Sequence, residues 1–261
     1  MHQHPWEIRM EHFGYSHIVL EWRGRPIHFN PLDLVEENSI VVILGSWAEQ
    51  LQGVQKMITQ KIPCTVVSSS HVLSWLSQFG AVDGTTSLDL DGLQIELEEY
   101  QPIPTVTPFE LVRKVGASIR HPFRMGKRLQ KKKRLPPFAP QIAWLDFPSG
   151  VRFAHLNLCL HQNITLNFLE KIKKKSQKAT WIVVGCDYEE TESFLKLIEG
   201  FSHSHILLSD LIGDYRRQLG LSTRLLTPIA DRAIAKGLNI QVFTSKVGYR
   251  FDKIKLHHMQ K

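Results

Sequence analysis

Residues Val41 to Leu44 form an uninterrupted apolar run that passes through Gly45-Ser46 into a segment with apolar residues at Leu51, Val54 and Ile58. The run has the length of a buried strand, and the spacing of three to four residues after it is that of a helix with one apolar face. A buried strand that feeds a helix through a tight turn needs helices packed on a sheet, which points to an α/β architecture. The same alternation returns at Ile62 to Ser68 followed by His71 to Phe79, which Gly80 ends, and at Trp181 to Val184. With 261 residues, 43% of them hydrophobic, the chain is long enough for one substantial core.

The segment before this strand, Glu11 to Pro31, reads as two short strands around a turn at Arg23-Gly24-Arg25. It begins with Phe13-Gly14-Tyr15-Ser16 and closes on Asn30-Pro31. It resembles the opening hairpin of the metallo-β-lactamase superfamily, in the branch of lactonase-like hydrolases that start with Phe-Gly-His-Ser and close on Asp-Pro. The resemblance implies a four-layer αβ/βα sandwich: one domain over residues 1–261, with a basic insertion at about 108–139. In that family the buried strand delivers Thr-His-x-His-x-Asp-His into the helix. Laid on this chain, Leu44 takes the Thr place, Gly45 and Trp47 the first two His, Glu49 the Asp and Gln50 the last His.

That substitution removes the chemistry the motif performs. A hydrolytic metal site needs neutral imidazoles and carboxylates to hold the ion and to lower the pKa of its bound water. Glycine has no donor atom, an indole N–H cannot coordinate, and a glutamine amide is a poor ligand for zinc. The resemblance continues through the hairpin Thr86 to Leu97, then through Ile142 to Phe147, a turn at Pro148-Ser149-Gly150, and Val151 to Leu158. This last hairpin normally ends in His-x-Gly-Asp. Here His155 is kept, Asn157 replaces the Gly, and Leu158 replaces the Asp that bridges the metals. The family's later histidines are expected near Glu99-Tyr100-Gln101 and Phe243-Thr244-Ser245, and neither place has one. Loss at this many positions implies a scaffold kept without its metal, so no cofactor is expected and the leading function is non-catalytic, as a binding or regulatory module for a ligand or protein the sequence does not name.

An enzymatic alternative comes from the late strand ends. Cys159 and His161 follow the second hairpin, and Cys186-Asp187 follow the strand at Trp181 to Val184. In the resembling fold these ends point toward one edge of a shared cleft, where a thiol nucleophile or substitute ligands would support a hydrolase. The plainer account of Cys64, Cys159 and Cys186 is three free thiols, since three scattered cysteines make no disulfide framework.

The net charge of +7 is concentrated in one place. Ten of the 32 basic residues fall in residues 111–134 with no acidic residue among them, leaving 22 against 25 acidic residues elsewhere. Within this stretch Arg120, Arg124, Lys127, Arg128, Lys131, Lys132, Lys133 and Arg134 are interspersed with Phe123, Met125 and Leu129. Such a mixture suits a nucleic-acid backbone, an anionic membrane surface or the mouth of the cleft, and it equally suits a solvated insertion. A second run, Lys171, Lys173, Lys174, Lys175 and Lys178, is explained by the negative end of a helix dipole. His203-Ser204-His205 reads as a loop pair leading into a strand. Thr227 to Gly237 reads as a helix with Thr227 as cap, Pro228 at its first position and Gly237 as its stop. No apolar run approaches the roughly 18 residues of a membrane span, and the polar start is unlike a signal peptide. A cytoplasmic location is the expectation.

Overall fold

The computed structural model describes residues 9–14, 16–46, 48–100, 135–136, 140–157, 166–185, 191–210 and 226–243. Two mixed sheets face each other. The first comprises β1 (Arg9–Gly14), β2 (His17–Trp22), β3 (Arg25–Phe29), β4 (Ser39–Val42), β5 (Cys64–Val67) and β6 (Asp83–Thr85), in that order across the sheet. The second runs β13 (Ile240–Val242), β12 (His205–Ser209), β11 (Trp181–Gly185), β10 (Arg152–His155), β9 (Gln141–Asp146), β8 (Leu93–Glu99), β7 (Ser87–Leu90). Helices α1 (Ala48–Thr59) and α2 (Ser70–Leu76) lie on the first sheet. Helices α3 (Leu166–Ser176), α4 (Thr191–Glu199) and α5 (Thr227–Ala235) lie on the second.

Strand alternation sorts the apolar side chains into three layers. Ile18, Leu20, Ile27, Phe29, Ile40 and Val42 point between the sheets, where they meet Ala143, Leu145, Phe153, Val183 and Leu207. The intervening residues Val41, Ile43 and Val66 point outward against Leu51, Val54 and Met57 of α1. On the far side Ile182, Val184, Ile206 and Leu208 meet Phe194, Ile198, Ile229 and Ala233. Residues two apart share a face, so each central strand is apolar on both sides and reads as a continuous run. The result is the α/β four-layer arrangement expected from the sequence.

Local differences have physical causes. The opening segment holds three strands rather than two, because β1 pairs antiparallel with β2, with a register shift between His12 and Gly14. The β2–β3 and β7–β8 hairpins turn on Arg23-Gly24 and Asp91-Gly92, all four at positive φ, as a two-residue type I′ turn requires. The cap of α5 is Leu226 rather than Thr227, and it makes no side-chain capping bond. Pro228 lacks an N–H to be capped, and the buried Leu226 fixes the helix start by packing. Two lysines of α3 do more than meet a helix dipole. Lys171 Nζ lies 2.6 Å from Glu98 Oε1, and Lys175 Nζ lies 2.8 Å from Glu96 Oε1, tying the helix to β8. Cys64 opens β5 half-buried and unbonded, its thiol pushed up to about 11 mainly by burial and further by Asp83, so it is an unreactive thiol at neutral pH.

Helix α1 approaches the segment after β3 so closely that position 53 has no room for a side chain. A β-carbon on Gly53 would overlap the Pro31 carbonyl oxygen and lie 2.7 Å from the Asp33 carbonyl oxygen. Alanine in a helix interior gains about 1 kcal/mol over glycine, but overpacking costs about 1–3 kcal/mol, and backbone carbonyls cannot rotate away as a flexible side chain can. Gly53→Ala is therefore expected to lower stability in urea denaturation by about 1–2 kcal/mol. An unchanged or raised midpoint would show that α1 is not packed so closely.

Candidate functional site

The C-terminal ends of β3, β4, β10 and β12 converge on one edge of the sandwich. Phe29 at the end of β3 lies 5.1 Å from the His155 ring at the end of β10, and Phe243, just after β13, stacks on His12 of β1 at 5.1 Å. Above them the chain leaves β4 through Ile43, Leu44, Gly45 and Ser46 on its way to α1, all of them buried. This is the turn to which the sequence assigns the metal motif.

The turn is held by amides. The Leu44 N–H donates to Asn30 Oδ1 at 2.8 Å. The Leu44 carbonyl accepts from Asn157 Nδ2 at 2.9 Å and from the Gln141 backbone N–H at 2.8 Å. Asn30 belongs to the first sheet's side of the cleft, whereas Asn157 and Gln141 belong to the second, so the backbone of one residue, Leu44, links the two halves. Asn30 Nδ2 also donates to Ser16 Oγ at 3.1 Å, and Gln50 Nε2 lies 3.5 Å from the same oxygen. The Tyr100 hydroxyl donates to the Asn157 carbonyl at 3.1 Å.

Both asparagines have left-handed backbones, with φ 46° at Asn30 and φ 44° at Asn157. Asparagine is among the few residues besides glycine that visit this region routinely. Asn157 therefore fits the backbone conformation glycine favours while adding the amide that grips Leu44. The sequence shows this position only as a lost glycine.

Gly45 and Gln50 are fitted to each other. A β-carbon added at Gly45 would overlap Gln50 Oε1 and come within 3.3 Å of Gln50 Cδ. The Gln50 side chain, itself buried, thus fills the space that any side chain at position 45 would need. As a donor set the described part of this turn does not fit a metal: Gly45 offers no atom, and Gln50 offers only an amide already turned toward Ser16. Among the described residues no group of three or more His, Cys, Asp or Glu side chains is placed to hold an ion. Trp47, Leu158, Cys159, His161, Cys186, Asp187, the side chain of Glu49 and the basic segment at 111–134 lie outside the described residues.

Of the imidazoles near this turn, sequence reasoning singled out only His155, as a kept family position, and passed over His12, His17 and His28. His12 and His155 are buried between the sheets, and His17 and His28 are buried on the outer face of the first sheet. The hairpin register contained a signal for the second pair: His28 faces Val19 across β2 and β3, which places it diagonally from His17 on the same face. His155 is fully buried, and among the described residues its ring nitrogens have no hydrogen-bond partner. Burial, and secondarily His12, lowers its pKa to about 3 despite an opposing contact with its own backbone. The imidazole is neutral in the folded protein at any ordinary pH.

A stability dependence on pH follows. The folded pKa of His155 lies below the unfolded value of about 6.5, so the unfolded chain binds the extra proton first. The contribution is constant above about pH 6.5 and stability is lost as pH falls from there toward 3. His155→Leu, which removes an imidazole without orphaning a partner, is expected to fold at pH 7.5. Its loss of stability between pH 7.5 and 5, by urea denaturation, should be smaller than that of the parent by about 2 kcal/mol. Parallel pH profiles for the two proteins would mean that His155 takes up its proton without unfolding.

No protein-family model matches the chain, and no curated protein matches it. Its architecture is found among solved structures. Igni18, a metallo hydrolase from the hyperthermophilic archaeon Ignicoccus hospitalis, aligns over 94% of this chain and 97% of its own, with a TM-score of 0.59 at 13% identity. An isothiocyanate hydrolase from Delia radicum gut bacteria aligns over 93% and 98%, with a TM-score of 0.59 at 9% identity. CmlA, a diiron β-hydroxylase from Streptomyces venezuelae, aligns over 91% of this chain and 53% of its own, with a TM-score of 0.55 at 8% identity. Together with the two facing sheets and their outer helices, these likenesses establish the fold, a four-layer αβ/βα sandwich of the metallo-β-lactamase type.

Proposed function

We propose that this chain is a catalytically inactive protein of the metallo-β-lactamase fold that uses the strand-end cleft for binding or regulation. The observation that carries this reading is the mutual fit of Gly45 and Gln50. Two positions that the resemblance assigns to metal-binding histidines carry a residue without a side chain and an amide that fills the resulting space. A histidine at position 45 alone would have to displace the Gln50 side chain. The surrounding contacts from Asn30, Asn157 and Gln141 give the turn a support made of neutral hydrogen bonds, with no ion required to hold it. Similar folds carry metal hydrolases and a diiron hydroxylase, so the fold itself does not select among chemistries.

Elemental analysis of tag-free protein is expected to find no stoichiometric zinc, iron or manganese. Chelators should leave the melting temperature unchanged, because an ion bound only by the folded state would otherwise stabilise it. About one or two metal ions per chain, lost on changing Glu49 or Asp187, would overturn this reading in favour of a hydrolase with substitute ligands.

A further inference from the structure

The outer face of the first sheet carries an ionisable group that the strand-end turn does not use. His17 begins β2 and His28 is the fourth residue of β3, and both are buried. His17 Nε2 lies 3.1 Å from His28 Nδ1, and Glu36 Oε2 lies 3.1 Å from His28 Nε2. Phe13, partly exposed, stacks on His17 with ring centroids 5.0 Å apart. Glu36 belongs to residues 30–38, the segment joining β3 to β4, and its carbonyl accepts from Ser39 Oγ at 2.6 Å. The same segment is fastened to α1 by Asp33 and Lys56 at 2.7 Å, and to the start of β5 by the Asn38 N–H on the Pro63 carbonyl at 2.8 Å. Its first residue is Asn30, which holds the Leu44 N–H.

Proton counting limits what this arrangement tolerates. A contact between two imidazole nitrogens at 3.1 Å is a hydrogen bond only when one proton lies between them. With the His28 Nε2 proton toward the Glu36 carboxylate, a neutral His28 presents a lone pair at Nδ1, and His17 donates to it. One extra proton can be carried by His28, as an imidazolium paired with the Glu36 carboxylate that also donates to His17. A second extra proton sets two N–H groups against each other and places two cations in a buried site, with His12 adding to the repulsion at His17.

We propose that Glu36, His28 and His17 form a proton-operated clasp. Uptake of the second proton releases residues 30–38 from the sheet and, through Asn30, loosens the hold on Leu44 at the cleft. Glu36 from the connecting segment faces the pair, His12 acts on it electrostatically from the inner face of β1, and Asp33 of the connecting segment is engaged by Lys56 of α1. Closed, the clasp keeps His17 neutral, since burial first and then His28 and His12 lower its pKa to about 3. Open, both imidazoles return to the ordinary range near 6.5, so acid favours the open form.

Hydrogen–deuterium exchange on the full chain at pH 7.5 and 5, corrected for the intrinsic pH dependence of exchange, tests this. Peptides covering residues 31–38 are expected to lose protection by at least about tenfold more than β11, with a smaller excess loss at 43–46. His17→Phe removes the second proton site and keeps a ring beneath Phe13, so the excess loss should disappear. Glu36→Gln removes the charge that favours the singly protonated closed form, so opening should begin at a higher pH. The proposal fails if residues 31–38 lose no more protection than β11, if His17→Phe opens as the parent does, or if Glu36→Gln leaves the onset unmoved.

Discussion

The backbone of Leu44 is the point on which the two halves of this molecule meet. Its N–H is taken by Asn30 from the first half, and its carbonyl by Asn157 and Gln141 from the second. Each bond contributes about 1 kcal/mol in net terms, but leaving a buried peptide polar group without a partner costs more than that. Everything around the turn depends on the Leu44 backbone staying in place. The path into α1, the contact of Gln50 with Gly45, and the closeness of α1 to Pro31 all follow from how the chain leaves β4.

Beneath Leu44 the largely apolar interior between the sheets holds His12 and His155, which sit against Phe243 and Phe29. Burial in such surroundings penalises a charged imidazole, so His155 serves as a neutral, polarisable space-filler. On the opposite face of the first sheet His17 and His28 are buried too, yet a carboxylate stands beside them, giving this pair a route to solvent that His155 lacks. Two imidazole pairs only a few strands apart thus differ in character, one sealed and one coupled to the surface through Glu36.

Much of the architecture was legible because strand alternation and helix spacing are local properties. Cys64 to Val67, Trp181 to Gly185 and the hairpin at Asp91-Gly92 stand where apolar pattern and turn chemistry put them, whereas β4 runs Ser39–Val42 and ends two residues short of the apolar run that reaches Leu44. The strand at Asp83–Thr85 was not, since its three residues carry no apolar pattern and it forms only by pairing with β5. At the cleft, residue identity revealed what was missing but not what had taken its place. Gly45 and Gln50 each read as a lost ligand, and only their spatial overlap shows them as one fitted pair. Asn157 likewise read as a departure from glycine until its φ and its bond to Leu44 were seen together. Such complementarity joins residues distant in the chain and leaves no periodic trace. Trp47, Cys159, His161, Cys186 and Asp187 fall outside the described residues, so what the sequence expects of them stays an expectation.

A double-mutant cycle on Asn30 and Asn157 addresses most directly whether the Leu44 backbone joins the two halves. Glycine at either position keeps the left-handed backbone accessible and removes only the side-chain amide. Denaturation of Asn30→Gly, Asn157→Gly and the double variant at pH 7.5 should give a coupling energy of at least about 0.5 kcal/mol, as for residues that share a partner. Strictly additive losses would contradict a shared Leu44 clamp and leave the two asparagines as independent turn residues.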